Sequence, residues 1–174
     1  MNYLNNAIKI FANYKSLADK AMAQLGDEQL FWQPTTESNS IAIIAKHMWG
    51  NMLSRWTNFL EEDGEKEWRN RDGEFESDWK SRLELISKWE EGWQVLFEAL
   101  NSITDKDLDR TVYIRAEAHT VLDAINRQIA HYASHVGQII YIAKMLKNDD
   151  WQSLSIPRNK SQEFNKTMFD KGKQ

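Results

Sequence analysis

Three histidines carry the chemistry that this chain can do. His47 stands in Lys46-His47-Met48-Trp49, and His131 and His135 stand in His131-Tyr132-Ala133-Ser134-His135. On a helix, residues four apart lie one turn apart on one side, so His131 and His135 project together. A third imidazole from another helix completes a three-nitrogen metal site. Such a site keeps one coordination position for water or substrate, which separates a catalytic metal from a closed structural one. Neutral imidazoles suit zinc, nickel, copper or iron, and neither helix flank offers an evident carboxylate as fourth ligand.

Four further residues are candidates for holding a substrate. Asn51 lies one turn beyond His47 and, with Gln138, either orients a ligand or forms polar surface. Arg69 and Arg71 lie in a charged loop, where guanidiniums suit a carboxylate or phosphate, although such loops are often solvated, salt-bridged connectors. His119 immediately precedes the last long helix; it either sits beside the helix cap or, if its loop folds back over the site, shuttles protons. Trp79, Trp89 and Trp93 share the apolar spacing of a helix and belong to the core, whereas Trp49 and Trp56 are expected to wall the pocket.

The elements that must position these side chains are helices. Leu4, Ile8, Phe11, Leu17, Ala18, Ala21 and Leu25 recur at steps near three and four, which predicts helix one over 2–25 with Gly26 as its stop. Residues 27–39 form a connector with one short turn near 27–31. Ser40 caps helix two, predicted over 41–60, and residues 65–76 read as a structured loop across one end of the molecule. Helix three is predicted from about Ser77 to Leu100. Residues 101–119 are irregular, with a short extended piece at 111–115 and no convincing strand partner. Thr120 with Asp123 caps helix four, predicted to run to about Leu146. The polar tail beyond it, with Pro157, packs on the surface or frays. Four amphipathic segments specify an all-α fold, an antiparallel four-helix bundle over 1–147 with a tail over 148–174.

The helical phases bring the histidines to one side. At 100° per residue, His131 and His135 fall roughly 120° and 80° from Ile125, on one flank of the apolar stripe of helix four. His47 falls roughly 120° from Ile41 on a flank of helix two that also carries Asn51, Ser54, Arg55 and Asn58. If the two flanks face one another, they enclose a polar pocket beside the core.

Composition narrows the function. The chain has 174 residues, enough for one domain with its own core. It has no cysteine, which excludes thiolate ligands and a protein thiol nucleophile, so sulfur chemistry needs a thiol from outside. The net charge of −4 is interspersed, without the basic stripe that nucleic acid demands. No leader-like start and no long apolar run is present, so a soluble cytoplasmic protein is expected, without membrane partners. A homodimer is compatible with the composition.

The segments Asn39-Ser40-Ile41-Ala42-Ile43-Ile44-Ala45-Lys46-His47-Met48 and Gln128-Ile129-Ala130-His131-Tyr132-Ala133-Ser134-His135-Val136-Gly137-Gln138-Ile139 resemble the two signature helices of the DinB/YfiT-like superfamily. The likeness extends to about Leu146, and the loop Asp63-Gly64-Glu65-Lys66-Glu67-Trp68-Arg69-Asn70-Arg71-Asp72 is similar to a subgroup of unestablished activity. The resemblance implies the DinB/YfiT type of four-helix bundle and a divalent metal, zinc or nickel, on His47, His131 and His135. It further implies a thiol S-transferase that joins a low-molecular-weight thiol such as bacillithiol to an electrophilic small molecule. A metal-dependent hydrolase acting through activated water and a metal- or ligand-binding bundle without turnover are the alternatives.

Overall fold

The computed structural model describes residues 3–171. Helix makes up 64% of the chain, which places it in the all-α class with one small sheet as an appendage. The elements are α1 (Tyr3–Met22), α2 (Asp27–Leu30), α3 (Ile41–Trp56), α4 (Arg82–Asn101), β1 (Thr111–Ile114), β2 (Glu117–Thr120), α5 (Val121–Lys147) and α6 (Ser161–Lys171). Among the described residues, no helix is long and apolar enough to cross a membrane.

The four long helices share one core. Phe11, Met48, Met52, Trp89, Trp93, Leu96, Ile125, Tyr132 and Ile139 are all buried in it. Helix α1 packs on α5 and α4, and α3 packs on α4 and α5. The directions differ from the expected antiparallel neighbours. Tyr3 donates to Asn126 near the start of α5, and at the other end Gln24 exchanges hydrogen bonds with Gln152 just beyond α5, so α1 and α5 run the same way. Lys15 pairs with Glu90 and Arg82 with Asp27, so α4 runs against α1. His47 meets His135 while Trp56 meets Tyr132, so α3 runs against α5; Trp49 meets Glu91 while Trp56 lies beside Val95 and Glu98, so α3 runs with α4.

The loop between α3 and α4 makes that parallel pair. It does not lie across one end; it returns along α3. Gly64 accepts from Ser54 Oγ at 2.7 Å and from the Arg55 guanidinium, and nine residues later Gly73 accepts from Lys46 Nζ at 2.5 Å. The chain therefore re-enters α4 at the end from which α3 began. This cover explains why nearly every α3 side chain is buried, polar ones included.

Boundaries shift for identifiable reasons. Helix α3 stops at Trp56, short of the predicted Leu60, because Thr57 is extended and Asn58 adopts φ 48°. Helix α4 starts at Arg82, because Ser81 and not Ser77 accepts the Glu84 N–H at 3.1 Å. Helix α1 is predicted from Asn2, which lies outside the described residues, and it ends at Met22. Helix α5 ends at Lys147, one residue past expectation, with the Thr120–Asp123 cap formed in both directions.

The region read as irregular contains a hairpin. Thr111 pairs with Thr120 and Ile114 with Glu117 around a turn at Arg115 and Ala116, both left-handed with φ 58° and 61°. Two positive φ values match the right-handed strand twist, yet glycine or asparagine is the usual occupant. Asp63 supports the turn by accepting from the backbone N–H of Arg115 at 2.8 Å and Ala116 at 2.7 Å. The exception to local rule is thus held by a loop carboxylate, a partner that local sequence does not reveal. In the tail, Trp151 and Leu154 rest against the core, while α6 is exposed along its length.

Candidate metal centre

Helices α3 and α5 bring the three histidines together. Nε2 of His131 lies 3.3 Å from Nε2 of His47 and 3.0 Å from Nε2 of His135. Their ligand atoms all fall within 4.8 Å of one another, the one such group of three or more metal-ligating residues among those described. The helix pair is registered nearby by a buried polar chain in which Trp56 Nε1 donates to Tyr132 Oη and Tyr132 donates to Asn51 Oδ1 at 2.9 Å. Burial pushes the Tyr132 phenol far up, so it remains a donor.

Each ring is oriented from behind. His47 Nδ1 lies 2.9 Å from Glu74 Oε2, His131 Nδ1 3.2 Å from Gln128 Oε1, and His135 Nδ1 2.9 Å from Gln138 Oε1. All three partners are oxygen acceptors, so each Nδ1 carries the proton and each Nε2 presents a lone pair. Burial alone would raise the Glu74 carboxyl, but hydrogen bonds from His47 and Arg69 outweigh it and hold the group below the usual carboxylate range. Glu74 is therefore an anion that accepts. Phe75 stacks on the outer face of His47, with centroids 4.8 Å apart.

Three lone pairs pointing at one another repel unless a cation sits among them. Two of the rings resist protonation. Burial, then the nearby His135 and His47, pushes His131 down to about 3. Burial also lowers His135, against the hydrogen bond to Gln138. A tetrahedral ion bound at about 2.0 to 2.1 Å requires donor nitrogens about 3.3 Å apart, close to the two separations of 3.3 and 3.0 Å found around His131. The donor set thus fits a divalent cation with one position left for another ligand.

Glu74 is itself held from behind. Arg69 donates to it through Nε at 2.7 Å and through Nη2 at 3.0 Å, a bidentate pair in which both side chains are buried. Gly50, one turn from His47 on α3, leaves the space: a Cβ there would stand 2.8 Å from Glu74 Cδ. Arg69 is thereby engaged with Glu74 and Glu65, which makes it a support for His47 in addition to a cavity wall.

A cavity of about 220 Å³ opens beside His47 and His131, with His135 outside its lining. His47, His131, Asn51, Arg69 and Arg71 line it, together with Arg55, Arg115, Arg127 and Gln128. His119 does not. It sits on β2 opposite Val112, near Glu117, outside the lining. The two tryptophans expected at the wall are also elsewhere: Trp56 is in the core against Phe11 and Phe59, and Trp49 faces α4 and donates to Glu91.

Sequence reasoning missed Glu74, Gln128 and a firm role for Gln138. For the glutamines a signal was available, since each lies three residues from a histidine and so shares its helix face. For Glu74 the only trace was Gly50, a gap in the polar flank three residues from His47.

A sequence model of the family described as "Protein of unknown function (DUF1572)" matches residues 1–160. No curated protein matches the chain.

Proposed function

The chain belongs to the DUF1572 family, whose description names no activity, and from the site itself we propose that it is a metal-dependent enzyme on a four-helix bundle of the DinB/YfiT type. His47, His131 and His135 hold one divalent ion, zinc or nickel. The observation that carries this reading is the convergence of three Nε2 lone pairs whose Nδ1 atoms are each tied to an oxygen acceptor. Ring orientation of that kind is what metal-ligating histidines require and what solvated histidines lack. The ion, when bound, supplies Lewis acidity that lowers the pKa of a thiol or water brought beside it.

The reaction that fits best is transfer of a low-molecular-weight thiol to an electrophilic small molecule. The chain has no cysteine, so the sulfur must come from a co-substrate. The chain's own residues do the rest: the Glu74–Arg69 pair fixes His47, Gln128 and Gln138 fix the other rings, and Asn51 and Arg71 face the ligand space. Hydrolysis is the second reading, favoured by a cavity lining with no apolar side chain to exclude water. The unit is residues 1–147, with 148–174 as a tail.

The test compares metal-loaded and metal-stripped protein on a panel of small thiols with an aryl chloride, and on nitrophenyl esters without thiol. Faster conjugation by the loaded form, lost in His131→Ala, supports thiol transfer. Acceleration confined to the esters supports hydrolysis. Equal rates everywhere leave a binding protein without turnover.

A further inference from the structure

Arginines reach the cavity from four parts of the chain: Arg55 from α3, Arg69 and Arg71 from the returning loop, Arg115 from the hairpin turn and Arg127 from α5. No carboxylate lines the space. Behind the wall, two acids among the described residues answer these five cations. Glu65 Oε2 is shared by Arg55, Arg69 and Arg115 at 3.2 to 3.3 Å, and Glu74 is taken by Arg69 and His47. Arg71 and Arg127 make no ion pair with any described residue.

Arg55 adds an independent sign of a missing partner. It is 8% exposed, and its Nε is buried without a hydrogen-bond acceptor. Burial pulls its guanidinium below the usual arginine value, with the neighbouring Arg69 and Arg115 charges adding to the effect against Glu65. Clustering cations with too little counter-charge is costly, and an anion in the cavity offsets that cost.

The geometry selects among anions. A carboxylate offers two coplanar oxygens and matches one guanidinium fork, whereas a phosphate monoester offers three terminal oxygens in different directions and close to two charges. Guanidiniums arriving from a helix, a loop, a hairpin and a second helix, those of Arg71 and Arg127 free of ion pairs with described residues, match the latter. A volume of about 220 Å³ holds a group the size of roughly seven waters, a phosphate with a few further atoms.

We propose that this arginine-lined cavity binds the phosphate of a phosphomonoester substrate whose reacting atom then lies beside the three histidines. The proposal rests on the metal-centre reading for its chemistry and names the substrate class of that same site.

Isothermal titration of the full-length protein with inorganic phosphate tests it, with malonate as a carboxylate probe, on metal-stripped and metal-loaded protein. The stripped protein is expected to bind phosphate at least tenfold more tightly than malonate. Arg71→Ala and Arg127→Ala should each weaken phosphate about tenfold, the loss of one charge-assisted contact, with melting temperature and metal content unchanged because neither side chain has a structural partner. Phosphate held only by the metal-loaded form, malonate binding as tightly as phosphate, or both variants binding like the parent would each overturn the proposal. Phosphate binding without any metal uptake would instead defeat the metal-centre reading and leave the anion site standing.

Discussion

Glu74 sits in a space that Gly50 leaves open, with its Cδ 2.8 Å from where a Cβ on Gly50 would stand and its Oε2 2.9 Å from Nδ1 of His47. A glycine on α3 thus determines whether a loop carboxylate can reach a ring of the candidate metal site. The contact is with the carboxyl end of a glutamate pinned by Arg69, so it cannot swing aside cheaply.

Gly50→Ala is therefore expected to displace Glu74 and loosen His47, and Glu74→Gln to remove the anionic acceptor while keeping the shape. Loss of such an outer partner typically costs about 10- to 100-fold in metal affinity. Competition with a chromogenic chelator measures it. Glu74→Ala should in addition destabilise the fold by about 1 to 3 kcal/mol, since two buried donors of Arg69 lose their acceptor and the guanidinium keeps only Glu65.

Tyr132→Phe removes the hydroxyl that accepts from Trp56 and donates to Asn51. Two buried groups lose a partner, and the expected loss is about 1 to 3 kcal/mol in denaturant unfolding. Metal stoichiometry should persist, because the hydroxyl touches no histidine nitrogen.

Ala116→Gly should stabilise the protein. Ala116 has φ 61°, a left-handed conformation that costs an L-residue roughly 1 to 2 kcal/mol and glycine nothing comparable. A gain of about 1 kcal/mol in chemical denaturation is expected, smaller than the full cost because glycine also gains entropy when unfolded.

The metal-free protein should lose stability in acid. His131 is held at about 3 and His135 is also lowered, against an ordinary value near 6.5 in the unfolded chain. For a base with a depressed folded pKa the unfolded state takes up protons first, so the stabilisation is whole above about pH 6.5 and is lost as pH falls from there towards 3. For His131 the slope is at most about 1.4 kcal/mol per pH unit, less for its partial exposure. Melting curves of stripped protein should fall between pH 7 and 5, and His131→Ala should flatten that decline.

These outcomes also mark what the sequence contained. The phases of His47, His131 and His135 were readable because 100° per residue fixes which flank each occupies, and the cap at Thr120–Asp123 was readable because it is local. The approach of Glu74 was not, since it depends on the loop returning along α3, a path set by Ser54, Arg55 and Lys46 binding loop carbonyls. Ser54 and Arg55 read as part of a flank facing the expected pocket, and nothing local names a loop carbonyl as the partner of either or of Lys46. The parallel α3–α4 pair was hidden for the same reason. The β1–β2 hairpin was hidden because its turn, Arg115-Ala116, lacks the residues that announce such turns and relies on Asp63.

The central claim is one metal ion on three histidines. Elemental analysis of tag-free protein after equilibration with zinc or nickel and removal of the excess tests it most directly, alongside His47→Ala, His131→Ala and His135→Ala. The account predicts about one ion per chain in the parent, none retained by any of the three variants, and helical circular dichroism preserved throughout, because the apolar core does not depend on these side chains. A parent that retains no ion, or a His131→Ala protein that retains a full equivalent, would contradict it.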